Sequence, residues 1–304
     1  MYTLVAVIPT FNRKELLKNL LTQLVKQKGD NFSLQTLVVV DGSSDGTLEM
    51  LSNEFPNTKI VKGTGQWWFT KSLNEGIKMA QQLSPDYILT LNDDVVLADN
   101  FVAKILADCL SVNKGHCIIG SLTLSVEEPD KILFAGIKKI DFIKGSVNQQ
   151  YLPRNTTYIP KVHKGIKSSP TLPTRGTLIP IEFIKILKGF DERFPQYGSD
   201  TDFTLRAFKG GYSVNISYNS IIYAYSNLTG TGSPKTSGSY YMYLQNIISN
   251  KYSPTHIGKD TLFIWLHFPK ILFPWYLIIL LLGTQYAYFK HRKTRGLNSN
   301  ISNH

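Results

Sequence analysis

Three acidic positions in this 304-residue chain have settings that suit chemistry: Asp41, the triplet Asn92-Asp93-Asp94, and Asp200. The triplet follows directly on YILTL, residues whose β-branched and aliphatic side chains predict a buried strand. Carboxylates at the carboxyl end of a strand in an open α/β sheet lie on the edge where such sheets bind ligands. Two adjacent acids repel each other unless a cation neutralises them, and hard oxygen ligands suit Mg2+ or Mn2+. Taken in isolation, the triplet reads more simply as a polar turn capping the next helix. Asp41 also comes straight off a predicted strand, where its carboxylate could accept from a pyrimidine N3–H. In the DGSSDGT loop that it opens, Ser43 to Thr47 read as an ordinary turn and helix cap. Asp200 falls in the first turn of a helix that Ser199 opens, with Asp202 three residues on, close to a capping box. Backbone amides there favour an ionised carboxylate, as a general base at neutral pH requires, and Asp202 reads as a complement to the helix dipole.

The elements that must hold these residues follow from periodicity. Leu4–Ile8 reads as a strand, Lys14–Lys26 as a helix with leucines on one face, and Gln35–Val40 as the second strand. A short helix at Leu48–Glu54, a short strand at Lys59–Val61 and a helix at Thr70–Leu83 lead to the strand before Asn92. Strands alternating with helices predict βαβ units, an α/β fold and a mostly parallel sheet. Three loops leave the carboxyl ends of its strands: Pro9–Arg13, Asp41–Thr47 and Asn92–Val95.

Composition sets limits on the partners. The chain is long enough for one large or two small domains, and its 12% aromatic content argues against disorder. A net charge of +11 suits an anionic partner, whether nucleic acid, a membrane surface or a phosphorylated substrate. Lys131 to Arg175 carries nine Lys or Arg against the single acid Asp141, and Lys290, Arg292, Lys293 and Arg295 form a second cluster. Two cysteines, Cys109 and Cys117, imply no disulfide framework, and the first ten residues are too short an apolar run for a signal peptide. A cytoplasmic catalytic portion is the expectation.

Four ordered motifs, VIPTFNR, VVVDGSSDGT, LTLNDDV and GFDERFPQYGSDTDFTLR, resemble the family-2 nucleotide-sugar glycosyltransferases of the GT-A fold over about residues 3–250. The resemblance implies inverting transfer from a nucleoside-diphosphate sugar, with no nucleic acid involved. It assigns donor binding to Pro9, Thr10, Asn12 and Arg13, with Thr10 near the ribose and Asp41 reading the base. Asn92 stands where the family often has Asp, Asp94 would hold Mg2+ or Mn2+ on the pyrophosphate, and Asp93 is the adjacent candidate. Gly65 belongs to a Gly-rich run that closes over the donor, Asn74 to the Asn-x-Gly after it, and one of Trp67 and Trp68 is expected to line the sugar pocket. Asp200 matches the Asp of the family's Glu-Asp pair, the base, with Ser199 in place of Glu. Arg175, Gly176 and Asp202 would meet the acceptor. No His follows in the matching region YAYSNLTGTGS, so Tyr225 or water would complete the metal shell.

The C-terminal segment differs in character. Ile271 to Phe289 is 19 residues without charge, long enough to approach a bilayer span, yet Pro269 and Pro274 break its start. An in-plane or re-entrant anchor fits better, because a single span would export the basic cluster. The expected organisation is a GT-A domain at 1–254 (donor half 1–97, acceptor half 98–254), a membrane-associating helical segment at 255–290 and a basic polar tail at 291–304. The expected activity is metal-dependent hexosyl transfer from a UDP- or dTDP-sugar to a hydroxyl of a lipid-linked glycan. This would occur on the cytoplasmic face of the cell membrane, in cell-surface polysaccharide synthesis. The alternatives are a polyprenyl-phosphate sugar synthase, whose phosphate acceptor needs no base, and an inactive sugar-nucleotide or glycan-binding protein.

Overall fold

The structure is a computed structural model that describes residues 1–226 and 239–301, without side chains at 287 and 290–301. The donor half comprises β1 (Tyr2–Thr10), α1 (Lys14–Leu24), β2 (Phe32–Val40), α2 (Thr47–Glu54), β3 (Lys59–Lys62), α3 (Trp68–Ala80), β4 (Tyr87–Thr90) and β5 (Val95–Leu97). There follow α4 (Phe101–Ser111), β6 (Cys117–Ser125), β7 (Ile132–Phe134), β8 (Ile137–Asp141), β9 (Ser146–Gln150), β10 (Ile166–Ser168) and β11 (Thr177–Pro180). The chain closes with α5 (Ile181–Leu187), α6 (Ser199–Lys209), β12 (Ser213–Ala224), α7 (Tyr240–Ser249), α8 (Ile257–His267) and α9 (Phe273–Ile301).

One sheet organises the molecule, in the order β10-β12-β6-β11-β4-β1-β2-β3. From β1 to β4 it is parallel, with β1 between β2 and β4 and β3 on the outer edge of β2, whereas β5 pairs antiparallel with β12. The acceptor half is mixed: β11 inserts antiparallel between β4 and β6, whereas β12 runs parallel to β6. The expectation of a mostly parallel sheet thus holds only as far as β4. The family resemblance places a strand at 175–178, but strand direction is a long-range property that a local motif does not carry.

Helices cover both faces. Leu17, Leu20, Leu21 and Leu24 of α1 are buried with Leu4, Ala6 and Ile8 on one face, and Leu73, Ile77 and Ala80 of α3 with Val5 and Val7 on the other. The alternation along β1 sends neighbouring residues to opposite cores, which is why the strand is apolar throughout. A third, smaller core joins Leu205 of α6, Val147 of the β8-β9 hairpin, Ile264 of α8, Phe268 just after that helix, and Tyr276 of α9. The C-terminal helices are therefore packed into the catalytic body rather than appended to it. The backbone of α9 continues through Ile301, so residues 291–301 are helical. Among the described residues no helix is long and apolar enough to cross a membrane.

Candidate active site

The acid loop takes its place from β4, which lies parallel to β1 and delivers Asn92-Asp93-Asp94 beside the loop that follows Thr10. Asp93 and Asp94 are only 5% and 6% exposed, so their charges need compensation within the protein. Thr10 Oγ1 donates to Asp93 Oδ2 at 2.8 Å. Arg13 Nη1 donates to both acids, at 3.0 Å to Asp93 Oδ1 and 3.1 Å to Asp94 Oδ2. The cation that the sequence demanded is thus partly supplied by the chain itself. Burial nonetheless pushes the Asp93 carboxyl up to about 6, against the opposing charge of Arg13 and with the help of Asp94. Asn92 Oδ1 is buried without a hydrogen-bond partner. Two carboxylates and an orphaned amide oxygen in one loop form the hard oxygen set that suits Mg2+ or Mn2+. No cluster of three or more His, Cys, Asp or Glu exists among the described residues, and Tyr225 does not line the cavity.

Asp41 is organised around the loop that precedes α3. Its Oδ1 accepts from Gly65 N at 2.7 Å, and its Oδ2 from Trp67 N at 2.8 Å and Trp68 N at 3.0 Å. This closure requires Gly63, because a Cβ there would sit 2.5 Å from Asp41 Oδ1. Three of roughly four carboxylate acceptor positions are therefore filled by backbone, leaving about one for a ligand. Trp68, held at a left-handed φ of 59°, stacks on Tyr252 with centroids 3.7 Å apart and rings 11° from parallel. Trp67 packs on the α3 core instead, with Lys71 over its ring.

Asp200 lies in the first turn of α6, half-buried, accepting from Thr201 N at 2.8 Å. Burial pushes its carboxyl up, opposed by that amide and by the charge of Arg175. The sequence expectation that helix amides would dominate and favour the ionised form is corrected here: desolvation outweighs them. A raised carboxyl is a stronger base once ionised.

These residues meet in one cavity of about 1390 Å3. Pro9, Thr10, Arg13, Asp41, Gly65, Trp68, Asn92, Asp93, Asp94, Arg175 and Asp200 line it. Five expected contacts do not. Asn12 accepts from Ser44 N at 2.8 Å and braces the two donor loops, and Trp67 is turned to the core. Asn74 bonds the backbone of Phe190 through both ends of its amide, at 2.8 and 3.0 Å. Gly176 makes a left-handed turn against Ile222 and Ser121. Asp202 is 1% exposed and pairs with Arg206 and His267, each at 2.9 Å. Its expected acceptor contact is thereby corrected to an internal one.

Sequence reasoning missed much of the opposite wall: Lys144 to Asn148 and Gln150 of the hairpin, Arg154, Thr171 to Thr174, Lys259, Phe263, Ile264 and Tyr276. This stretch shows only short apolar runs, Ile132–Ala135 and Val147–Leu152, separated by Gly, Pro and Lys, and nothing local says where such strands dock. Tyr276 Oη donates to Phe142 O at 2.6 Å and Trp275 Nε1 to Ile143 O at 3.1 Å, so α9 holds the hairpin over the cavity.

Residues 5–157, about half of the chain, match the family described as Glycosyl transferase family 2. The chain belongs to that family. No curated protein matches it. Among solved structures it is similar to GalNAc-T7 with UDP, GalNAc and Mn2+, at 12% identity and a TM-score of 0.58, covering 86% of this chain and 51% of that one. It thus spans about half the length of the GalNAc-T7 chain. It is also similar to S. aureus TarS 1-349 in complex with UDP, at 14% identity and a TM-score of 0.55, covering 94% of this chain and 89% of that one. A second TarS 1-349 structure gives a TM-score of 0.56 at 14% identity, covering 96% and 92%. These likenesses show the fold, a GT-A architecture.

Proposed function

We propose that this chain is an inverting glycosyltransferase that moves a sugar from a UDP- or dTDP-sugar to a hydroxyl of a lipid-linked glycan. The observation that carries the reading is that the acid loop and Asp200 line a single cavity larger than the roughly 300–1000 Å3 of an ordinary ligand site. Such a volume accommodates donor and acceptor together. The nucleotide would lie along Pro9–Arg13 and Asp41, with Trp68 beside the sugar and the diphosphate at Asp93 and Asp94. Those two acids and Asn92 would hold a divalent ion, which when bound supplies charge neutralisation to the diphosphate. Asp200 would take the proton of the acceptor hydroxyl, whose oxygen then forms the new bond to the anomeric carbon as the diphosphate leaves with the bonding pair.

A lipid-linked acceptor and a position on the cytoplasmic face of the membrane are supported by the composition of the far wall and of α9. Phe263, Ile264, Tyr276, Ile279 and Leu280 line the cavity, while Trp275, Ile278, Leu282 and Phe289 of α9 are 48–65% exposed. The hairpin tip adds Phe142 and Ile143, 49% and 74% exposed, to the same surface. An apolar helix face bordered by Trp and Lys is the pattern of an in-plane membrane helix.

Asp200→Asn tests the core of the reading. Loss of transfer with UDP binding and slow donor hydrolysis retained is expected. Full transfer by this variant would favour a phosphate acceptor that needs no base, and absence of metal-dependent nucleoside diphosphate release by the wild-type protein would favour a binding protein.

A further inference from the structure

Arg175 is a cation in the wall of the cavity to which the described residues give neither a hydrogen bond nor a close ion pair. Gly176 N donates to Thr90 O at 2.9 Å and Thr177 pairs with Thr90, so Arg175 falls beside the carboxyl end of β4, next to the acid loop. Gly176 fixes this turn: its φ is +68° and a Cβ would meet Ile222 and Ser121 at 3.2 Å. The guanidinium lines the same cavity as Asp94 and Asp200, and both acids act on it electrostatically. Among the described residues it nevertheless forms no hydrogen bond and no ion pair. Asp94 is engaged by Arg13, and Asp200 by the Thr201 amide. Burial lowers the Arg175 pKa below its ordinary value, with Arg154 adding repulsion and the two acids opposing. Arg175 is half-buried, and a half-buried guanidinium with no hydrogen-bonded acceptor gains when an anion arrives. The planar fork of guanidinium donors matches phosphate oxygens two at a time.

We propose that Arg175 is a phosphate-binding residue set between the acid loop and Asp200, taking either the donor diphosphate or a phosphate borne by the acceptor. This rests on reading the cavity as a transfer site. In the donor case its N–H groups face the oxygen that gains charge as the bond to the sugar breaks, and they stabilise it there. In the acceptor case it fixes the head of an amphiphile whose apolar part lies along Phe263, Ile264 and Tyr276.

The test uses Arg175→Met and Arg175→Lys in the full chain, with thermal unfolding and calorimetric titration of two probes, UDP with Mn2+ and octyl phosphate. Arg175→Met should unfold close to wild type without ligand, because no hydrogen bond or close ion pair is lost and only the longer-range attraction of Asp94 and Asp200 goes. It should bind one probe about tenfold to a hundredfold more weakly, the range of a charge-assisted hydrogen bond. Arg175→Lys, which keeps the charge and loses the fork, should fall between. Loss confined to UDP with Mn2+ identifies the donor diphosphate, and loss confined to octyl phosphate identifies an acceptor phosphate. Wild-type affinity for both probes in both variants overturns the proposal, as does early unfolding of ligand-free Arg175→Met, which would mark a structural role. If the wild-type protein releases no UDP from UDP-sugars yet Arg175→Met weakens a probe, the transferase reading fails and the phosphate site stands.

Discussion

His267 Nε2 lies 2.9 Å from Asp202 Oδ1, a buried hydrogen bond that ties the last turn of α8 to the helix carrying Asp200. Lys209 Nζ donates to the carbonyl of the same histidine, adding a second tie between α6 and α8. Read from the sequence, residues 255–290 are an anchor whose removal leaves the catalytic part intact. The pair predicts otherwise, because cutting before Thr255 strips His267 from Asp202, uncovers Leu205 and removes one wall of the cavity. His267→Ala should cost about 1–3 kcal/mol in urea unfolding, since Asp202 loses a buried partner. The truncated chain should unfold at lower denaturant than wild type, and equal midpoints would show that the segment is separable.

Asp93 gives the metal-free protein a pH dependence of defined sign. Its carboxyl is pushed by burial from 3.8 to about 6 in the folded chain. The native state therefore holds a proton that the unfolded chain releases, so the associated stability is full below about pH 4 and lost as pH rises through 6. That contribution is about 3 kcal/mol. Urea unfolding of wild type and Asp93→Asn at pH 4 and pH 7, with chelator present, should show a wild-type fall relative to the variant. Parallel profiles would mean that Arg13 neutralises Asp93 fully.

Asp41 is expected to act on both the fold and the nucleotide. Asp41→Ala should destabilise the ligand-free protein by about 2–4 kcal/mol, since three loop amides lose their acceptor. The remaining acceptor position suits the N3–H that uracil and thymine carry and cytosine lacks, and sites built on a hydrogen bond reject analogues without it. UDP or dTDP should raise the Tm more than CDP does. Equal protection by CDP would confine Asp41 to holding the loop.

The exposed apolar surface of α9 and the hairpin tip predicts binding to bilayers that salt does not reverse. Wild type should cosediment with phosphatidylglycerol vesicles at high ionic strength, and Ile143→Ser with Ile278→Ser should weaken this by about tenfold or more, given the transfer energy of each side chain. Both residues are well exposed, at 74% and 49%, so the fold should be unaffected. Release of wild type by salt alone would make the attraction electrostatic, a matter of basic residues and anionic lipid.

The amino-acid sequence by itself determined the α/β alternation of the donor half and the three loops that meet at its edge. Those features rest on local periodicity and on the rule that parallel strands present their carboxyl ends together. Hence Asp41 and the Asn92-Asp93-Asp94 triplet could be placed at that edge before any contact was known, whereas the roles of Asp94 and Asp200 came from the resemblance to family-2 glycosyltransferases. Only the tertiary structure decided how each is compensated. Arg13 reaches Asp93 from 80 positions away, three amides of another loop close on Asp41, and Asp202 turns from the cavity to His267. Strand direction at β11 and the docking of the β8-β9 hairpin under α9 were likewise undetermined locally. Burial, which only the assembled chain creates, then pushed the carboxyls of Asp93 and Asp200 up, against what the helix and the charge pattern alone suggested, because desolvation acts on a charge wherever packing removes water from it.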